Sequence, residues 1–382
     1  MPHICHITTA HPTFGPRIFR RECVSLARIG HRVSLITIHP TAEVVQGVNI
    51  VPLPRPSSKL ERRLIHTNLA ARTALRLNAD IYHFHDLELI FAMKWLARRS
   101  GKPVIWDAHE NYVGSIQHFN PFYIPFVSKL AAKWLGELEI HACRNDFSGV
   151  VTINDFMAER YRAHGIPTSS VDNSVDIETI SFPTKVQRSP KPRLISAGTQ
   201  STDRGIFEII DAFRIVRRMI PCEIAFWGSF EPPSIRDVLF SRATADGIPS
   251  SDVIFGGPYE WETLVEELIP TAWAGCVLFD PKNQNNIHAL PNRFFELWAN
   301  GVPVFATAGT LVAKIVSQEE GGFVIEDNDP RSIAEAFIKL AKDPLLTSQL
   351  GMNGRKSVEE KYNWSNAFQQ LLKLYASLEV KI

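Results

Sequence analysis

Short apolar runs alternate with longer amphipathic stretches along the whole chain, and this alternation constrains the fold more than any other feature. An apolar run that ends in a polar loop and is followed by apolar residues at helical spacing is typical of a βα unit. Repeated βα units build a mostly parallel sheet covered by helices. The sequence therefore predicts an α/β fold with doubly wound sheets.

The first half of the chain contains one series of such units. A first helix is predicted in FRRECVSLARIG, which ends on a glycine before His31, and another in DFMAERYRAHG. The predicted strands are HICHITT, RVSLITI, DIYHFHD, KPVIWDAHE and SGVVTIN.

A polar, proline-rich segment, SFPTKVQRSPKP (181–192), then interrupts the pattern and has the composition of an interdomain linker. Beyond it the pattern restarts, with strands in PRLISAGT, CEIAFWG, SDVIFGG, GCVLFD and PVFAT and helices in GIFEIIDAFRIVRRM and WETLVEELIPTA. Because 382 residues exceed the usual size of a single core, we predict two domains, 1–183 and 192–363.

Composition excludes several classes of protein. Hydrophobic residues make up 45% of the chain and charged residues 21%, as in ordinary globular proteins. The longest apolar run is too short to span a bilayer, and the start lacks the blocks of a signal peptide. Five scattered cysteines without a CxxC pair indicate reduced thiols. We therefore expect a cytoplasmic protein.

The segment ALPNRFFELWANGVPVFAT (289–307) is the first candidate for a functional site. Its helix follows a strand and a polar loop, with Pro291 suited to the first helical position. Free N–H groups and Arg293 in the first turn can hold an anionic phosphate, and Glu296 can accept hydrogen bonds from ribose hydroxyls. The alternative is a solvated helix face.

A second candidate is AGTQSTDRGIFEII (197–210), where a strand, a loop of small residues, Arg204-Gly205 and a helix follow one another. This order again places N–H groups and a cation where phosphate can bind. The alternative is an ordinary surface turn.

Two strands of the first half end in polar residues, IYHFHD (81–86) and IWDAHE (104–110). Single buried histidines that are satisfied by hydrogen bonds are the alternative explanation for each. The HFHD spacing matches no recognisable metal motif, so we predict no metal site. Two polar strand ends in one domain favour a single shared site.

Blocks distributed over nearly the whole chain, in order, resemble glycosyltransferases of the family 4 type. LPNRFFELWANGVPV is the sharpest of them. The blocks are AHPTFGPRIFRRECVSLARIGHRVSLIT, YHFHDLELI, VIWDAHENY, SVDNSVDIE, SAGTQSTDRGIFEIIDAF, ALPNRFFELWANGVPVFAT and GRKSVEEKYNW. The resemblance implies the GT-B fold, in which two Rossmann-like domains face each other across a cleft that holds a nucleotide-sugar. It also implies that a last helix, 364–382, crosses back to the first domain.

The resemblance assigns roles by position. It implies that Glu296 binds the ribose, that Arg204 neutralises the leaving diphosphate and that His109 lies near the donor sugar; we take these three as the catalytic candidates. The donor-binding candidates are Gly198, Thr199, Gly205, Asn285, His288, Ala289, Leu290 and Arg293. The candidates on the acceptor side are Arg17, His85 and Asp86. The family retains anomeric configuration and needs no metal in the site.

The chain also departs from the family pattern. His288 stands where an acidic residue is common, and Thr199 or Gln200 stands where an arginine is frequent. Phe14-Gly15-Pro16 replaces a glycine pair. We expect Arg293 and Arg17 to supply the missing positive charge.

The predicted reaction is therefore transfer of a sugar, with retention, from a UDP- or GDP-linked donor to a saccharide or lipid-linked acceptor in surface polysaccharide assembly. No cofactor is expected.

The basic stretch 59–77 predicts an amphipathic helix. The simplest interpretation is a solvated helix face, and the alternative is a surface that contacts an anionic membrane. Nucleic-acid binding is disfavoured because aromatic residues do not interleave with the charge. The rival hypotheses are a catalytically silent nucleotide-binding partner and a sugar epimerase on the same fold.

Overall fold

The computed structural model describes residues 1–119, 125–178 and 187–378. They form two compact units, the first comprising Met1–Asp172 with Trp364–Ile382 and the second Asn173–Asn363. The chain divides after Asp172 rather than at the predicted boundary of 183, because Val175 already packs in the core of the second unit. Residues 181–186, the first half of the predicted linker, lie outside the described residues.

The secondary structure confirms the predicted alternation. The strands are β1 (His3–Ile7), β2 (Arg32–Ile38), β3 (Glu43–Val45), β4 (Val48–Leu53), β5 (Ile81–Phe84), β6 (Val104–Ala108), β7 (Gly149–Thr152), β8 (Thr168–Ser170), β9 (Arg193–Ala197), β10 (Gln200–Ser201), β11 (Glu223–Trp227), β12 (Phe230–Glu231), β13 (Val253–Phe255), β14 (Ala274–Val277), β15 (Val304–Thr307) and β16 (Gly322–Ile325).

Helices connect these strands. The α-helices are α1 (Val24–Arg28), α2 (Lys59–Glu61), α3 (Thr67–Leu77), α4 (Ile90–Ser100), α5 (Tyr112–Phe119), α6 (Pro125–Asn145), α7 (Asp155–Arg162), α8 (Ile206–Arg217), α9 (Ile235–Ala243), α10 (Trp261–Thr263), α11 (Gln284–Ile287), α12 (Asn292–Ala299), α13 (Leu311–Gln318), α14 (Pro330–Lys342), α15 (Pro344–Glu360) and α16 (Trp364–Ala376). Wider π-helical segments cover Pro16–Cys23, Arg62–His66 and Leu264–Leu268. Short 3₁₀ turns cover Leu87–Leu89, Thr202–Arg204, Ala245–Gly247, Ser250–Asp252, Ile269–Thr271 and Glu326–Asn328.

The sheet of the first unit has the order β3-β4-β2-β1-β5-β6-β7-β8, and its pairs are parallel except for β3 with β4. Alternate residues of each strand pack on opposite faces. Tyr82 and Trp106 belong to one buried cluster and Ile81 and Ile105 to another, so both faces are covered. The chain winds outward in both directions from β1 and β5, which places the carboxyl ends of these strands at a topological switch point.

The main sheet of the second unit is entirely parallel, with the order β13-β11-β9-β14-β15-β16. Counted from β9 as the first strand, this is the 3-2-1-4-5-6 order of a Rossmann sheet. The switch point lies between β9 and β14. A ligand in such a sheet binds beyond the carboxyl ends of these two strands.

Three local predictions have a definite outcome. Helix α1 ends before Gly30, which has the left-handed φ of 94° expected of a helix stop. Helix α16 belongs to the first unit, where Trp364 Nε1 donates to Ser25 Oγ at 2.7 Å; residues 379–382 of the predicted helix lie outside the described ones. Pro291 precedes the first helical position of α12, because its ψ of 148° is extended.

All five cysteines are buried free thiols, as predicted. Among the residues that the structure describes, no helix is both long and apolar enough to cross a membrane.

Candidate active site

The turn after β9 forms the centre of the site in the second unit. Gly198 has a φ of 94°, and its backbone passes so close to Gly228 that a Cβ on Gly228 would lie 2.1 Å from the Gly198 carbonyl oxygen. Gln200 Nε2 donates to the carbonyl oxygens of Gly198 and Trp227, both at 3.1 Å. Gln200 therefore shapes the turn. The loops after β9 and β11 are packed backbone against backbone, which only glycine allows.

Two guanidinium groups converge on this turn. Nη1 of Arg204 and Nη1 of Arg293 each lie 3.8 Å from the position of a Cβ at Gly198. Arg293 is buried; its Nη1 donates to the carbonyl oxygen of Ala197 at 2.9 Å, and its Nε has no hydrogen-bond partner. Burial and the charge of Arg204 lower the pKa of Arg293. Because the two positive charges repel each other, binding of an anion between them is favourable.

Two helices begin beside the turn without a side-chain cap. Gly205 precedes α8 and Pro291 precedes α12, and neither residue has a side-chain oxygen to occupy the first-turn N–H groups. By contrast, Thr310 and Asp329 cap α13 and α14. Gly205 has a φ of 66°, and a Cβ on it would lie 2.9 Å from Leu278 Cβ. The N–H groups of α8 and α12 thus add to the anion site.

Glu296 lies one turn into α12 and is buried. Trp261 Nε1 donates to Glu296 Oε1 at 2.6 Å and so orients the carboxylate. Burial, reinforced by the charge of Glu296, raises the pKa of Tyr259 to about 12, so its hydroxyl stays protonated. Tyr259 interacts electrostatically with Glu296, Arg293 and Arg204, so its phenol connects the carboxylate and its indole partner to the two guanidinium groups.

The burial of Arg293 and Glu296 excludes the alternative of a solvated helix face. The buried polar residues of α12 and its C-terminal end nevertheless have two functions. Asn300 is also buried, but its Nδ2 donates to the carbonyl oxygen of Glu296 at 2.9 Å, which caps the end of α12 rather than contributing to the site.

The loop between β14 and α12 is tied to the turn that carries Arg204. The Asp280 amide donates to the Asp203 carbonyl oxygen at 2.7 Å, and Asn286 Nδ2 lies 3.4 Å from Asp203 Oδ2. The loop carries the predicted donor-binding positions Asn285, His288, Ala289 and Leu290, and Thr199 lies on the Gly198 turn. Burial lowers the pKa of His288. A neutral His288 does not replace the negative charge of an acidic residue.

The first unit contains a second polar cluster, at its own switch point. His85 and His109, from two neighbouring strand ends, meet with Nδ1 and Nε2 3.2 Å apart, so the structure brings the two predicted strand ends together. Asp107 Oδ2 lies 3.3 Å from His85 Nδ1 and 3.1 Å from His109 Nε2. His109 is the partly exposed member, whereas the side chain of His85 is fully buried.

Arg17 binds Asp107 through two hydrogen bonds, from Nε at 3.0 Å and from Nη2 at 3.1 Å. Burial would raise the pKa of Asp107, but the Arg17 charge and the hydrogen bonds from His109 and His85 hold it well below its usual value. Arg17 Nη1 also donates to the Val171 carbonyl oxygen. This guanidinium is therefore engaged inside the first unit, which leaves Arg204 and Arg293 as our candidates for binding phosphate.

Asp86 anchors the loop after β1. It accepts hydrogen bonds from Thr8 Oγ1 at 2.9 Å, from the Ala10 amide at 3.1 Å and from His11 Nδ1 at 2.7 Å. Burial alone would raise the pKa of Asp86, but the hydrogen bond from His11 and its charge outweigh burial and lower it. Asp86 therefore fixes the position of this loop. The ring beside His109 is that of His11, which is half-buried.

Sequence reasoning missed several residues at both sites. Tyr259 and Trp261 follow the end of β13, and the rule that sites collect at strand ends would have indicated them. In the first unit, His6 of β1 lies with Nδ1 3.0 Å from His85 Nε2, and Glu22 lies with Oε1 3.2 Å from Arg17 Nε. No local sequence signal indicated either residue.

Comparisons with known proteins identify the family of the chain. The family described as Glycosyltransferase Family 4 matches residues 17–179, and the one described as Glycosyl transferases group 1 matches residues 178–357. Together the two matches cover most of the chain. This protein belongs to the glycosyltransferases of the family 4 type.

This glycosyltransferase is 29% identical, over 181 residues, to the capsular polysaccharide biosynthesis glycosyltransferase CapM of Staphylococcus aureus. The match covers 45% of this chain and 43% of CapM, so it spans less than half of that relative.

Solved structures show that the glycosyltransferase has the predicted GT-B fold. Sucrose-phosphate synthase from Thermosynechococcus elongatus superposes with a TM-score of 0.76 at 18% identity, over 99% of each chain. Anabaena HepE, solved with UDP and glucose, gives 0.73 at 13% identity over 99% of this chain and 100% of its own. WaaG, a glycosyltransferase involved in lipopolysaccharide biosynthesis, gives 0.69 at 14% identity over 96% and 98%.

Proposed function

We propose that this glycosyltransferase moves a sugar, with retention of configuration, from a UDP- or GDP-linked donor to a saccharide or lipid-linked acceptor in surface polysaccharide assembly. The observation that carries the proposal is the convergence of Arg204 and Arg293 on Gly198 next to the Glu296 carboxylate. The complexes of HepE with UDP and glucose make UDP the first nucleotide to test. CapM and WaaG, named for capsular polysaccharide and lipopolysaccharide, suggest the acceptor class.

The donor's diphosphate would lie against the Gly198 turn, between the two guanidinium groups and the first turns of α8 and α12. Cleavage of the bond between the sugar and the phosphate leaves negative charge on the diphosphate. Fixed cations and N–H groups that meet this charge as it develops lower the barrier. We further propose that these groups act in place of a divalent metal at the diphosphate.

The nucleoside would be held by Glu296, whose carboxylate accepts hydrogen bonds from the ribose hydroxyls. Trp261 holds the carboxylate in one orientation before the ligand arrives, which reduces the entropy lost on binding. Tyr259 keeps its proton and can donate a hydrogen bond to an anionic ligand.

On the acceptor side we assign His109 a binding role. Asp107 is charged and accepts from the Nε2 edge of His109, which leaves Nδ1 to accept a hydrogen bond from a sugar hydroxyl. The acceptor attacks from the side that the leaving group vacates, and a diphosphate oxygen takes the proton of its hydroxyl. The reaction then needs no separate enzymatic base.

We also propose that the first unit docks on an anionic membrane surface on its cytoplasmic side. Leu64 and Ile65 are exposed next to Arg62 and Arg63 on the segment that links α2 to α3. Apolar side chains beside basic ones are the combination that binds anionic lipid surfaces.

The test is a thermal-shift screen with UDP, GDP and their sugar conjugates, followed by a transfer assay without added Mg²⁺ or Mn²⁺. UDP should raise the melting temperature, since a ligand that binds only the folded state stabilises it. Glu296→Gln should abolish this shift, Trp261→Phe should reduce it, and Glu319→Gln should preserve it, because Glu319 pairs with Lys361 in a surface contact.

Two outcomes would contradict the proposal. Nucleotide binding without transfer to any acceptor in a panel would favour the rival hypothesis of a catalytically silent nucleotide-binding partner. The neutral His288, which lacks the charge of the usual acidic residue, is consistent with that rival. Unchanged donor turnover in Glu296→Ala or Arg204→Ala would refute the site assignment.

A further inference from the structure

Four fully buried side chains meet in the interior of the first unit, apart from the donor site. Strand pairing sets His6 of β1 directly beside His83 of β5, and His85 follows two residues later. Glu22 comes from the π-helical segment Pro16–Cys23. One nitrogen or oxygen of each residue lies within 4.8 Å of those of the other three.

The distances resemble those around a four-coordinate metal. His6 Nδ1 lies 3.0 Å from His85 Nε2, and Glu22 Oε2 lies 3.6 Å and 3.8 Å from these two nitrogens. Bonds of about 2.0–2.1 Å to a tetrahedral Zn²⁺ place its ligand atoms about 3.3 Å apart. His83 offers the fourth ligand, either through Nε2, which has no hydrogen-bond partner, or through Nδ1, which lies 4.0 Å from Glu22 Oε2 and would have to leave Tyr375 Oη.

Two of these residues have unused polar atoms. Both carboxylate oxygens of Glu22 and Nε2 of His83 are buried without a hydrogen-bond partner, although Arg17 Nε lies 3.2 Å from Glu22 Oε1. A buried carboxylate that Arg17 compensates only in part is costly, and a bound cation would reduce that cost.

The outer edges of the imidazoles already have partners. His85 Nδ1 faces Asp107 at 3.3 Å, and Tyr375 Oη lies 2.7 Å from His83 Nδ1 and 3.5 Å from His6 Nε2. A carboxylate or hydroxyl on the outer nitrogen fixes the tautomer of a metal-binding histidine. For His6 and His85, the nitrogens that face the centre hydrogen-bond each other at 3.0 Å, and a metal would replace this one contact.

We propose that His6, Glu22, His83 and His85 bind one divalent transition-metal ion, in the first instance Zn²⁺, in a closed structural site. Three imidazoles and one carboxylate suit Zn²⁺. Complete burial separates this ion from substrate, so its role is to join β1, β5 and the π-helical segment. The inference is independent of the proposed donor site, because it concerns the interior of the first unit.

The experiment measures metal content. The full-length chain is unfolded with a chelator, refolded with Zn²⁺ or with Co²⁺, and freed of loose metal by gel filtration. We expect about one equivalent of metal per chain and, with Co²⁺, the visible absorption of a tetrahedral site. Glu22→Gln and His6→Gln should each lower the retained metal at least about tenfold.

His3→Gln is the matched control and should keep its metal. His3 lies on the same strand and is buried, but its Nε2 contacts Ser34 Oγ at 2.9 Å, away from the cluster. A wild-type chain that refolds but retains no Zn²⁺ or Co²⁺ would overturn the proposal. Metal that persists unchanged in both Glu22→Gln and His6→Gln would overturn it as well. Should either variant fail to fold, the wild-type measurement still decides.

Discussion

The guanidinium groups of Arg204 and Arg293 come from different elements and meet at one glycine, each with Nη1 3.8 Å from the position of a Cβ at Gly198. Arg293 is buried in α12, and Arg204 ends a 3₁₀ turn and is half-buried. The pair therefore combines a fixed cation with an accessible one. If this is the diphosphate site, the two arginines should contribute differently to catalysis and to folding.

Arg204→Ala should lower kcat about a hundred- to a thousand-fold, because the charge that Arg204 meets develops mainly in the transition state. Arg204→Lys should restore part of this loss. Steady-state kinetics with a UDP-sugar would measure both effects. Arg218→Ala removes an arginine of the same unit whose side chain is exposed and pairs with Asp246, and it should leave kcat unchanged. Equal effects of Arg204→Ala and Arg218→Ala would refute the role of Arg204.

Gly228→Ala should destabilise the second unit far more than Gly247→Ala. Both glycines have positive φ, but a Cβ on Gly228 would lie 2.1 Å from the Gly198 carbonyl oxygen, whereas one on Gly247 meets nothing within 4 Å. We expect about 1–2 kcal/mol for Gly247→Ala and about 3 kcal/mol or more for Gly228→Ala. Denaturant unfolding would measure the two losses. Similar losses would contradict the close packing of the two loops.

The fold was largely predictable because it rests on local patterns. The apolar period and the Gly30 stop predicted β1, β2 and the first helix from residues close in sequence. The exact residue at which the chain divides into two units was harder to predict, because Val175 joins the second unit through packing against residues distant in sequence.

The sites were only partly predictable. Arg293 and Glu296 stand on one helix after a strand, so spacing alone indicated them. The partner of Glu296, Trp261, lies 35 residues away along the chain, and no local pattern predicts that contact. Glu22 of the π-helical segment and His83 of β5 are distant in sequence and meet only in the folded chain, which explains why the HFHD spacing indicated no metal motif.

Glu139→Gln should change how stability depends on pH. Burial raises the pKa of Glu139 from 4.5 to about 7, although Arg160 Nη1 lies 2.7 Å away and opposes the shift. Because the folded state holds this proton more tightly than the unfolded chain, the stability from Glu139 is present below pH 4.5 and is lost as pH rises through about 7.

The free energy of unfolding of Glu139→Gln, relative to wild type, should therefore increase across this window by up to about 3 kcal/mol. Urea unfolding at several pH values would measure it. Glu137→Gln, an exposed neighbour on α6 that pairs with Lys133, should show no such trend. A difference that stays constant with pH would rule out the shifted pKa.

Replacing Leu64 and Ile65 together by serine should weaken binding to anionic vesicles. Their side chains are 61% and 59% exposed, so they can enter the lipid interface while Arg63, which is 62% exposed, approaches the headgroups. Arg62 is less exposed and pairs with Glu88 at 2.9 Å. Burial of one such side chain is worth about 1.5–3 kcal/mol, so we expect a loss of at least about tenfold in a flotation or sedimentation assay.

Met352→Ser is the control for this measurement, because Met352 is 61% exposed but lies in the second unit. Added salt should weaken wild-type binding by screening the arginines, and the apolar contribution should remain. If the double serine variant binds as tightly as the wild type, another surface meets the membrane, and the basic segment is a solvated helix.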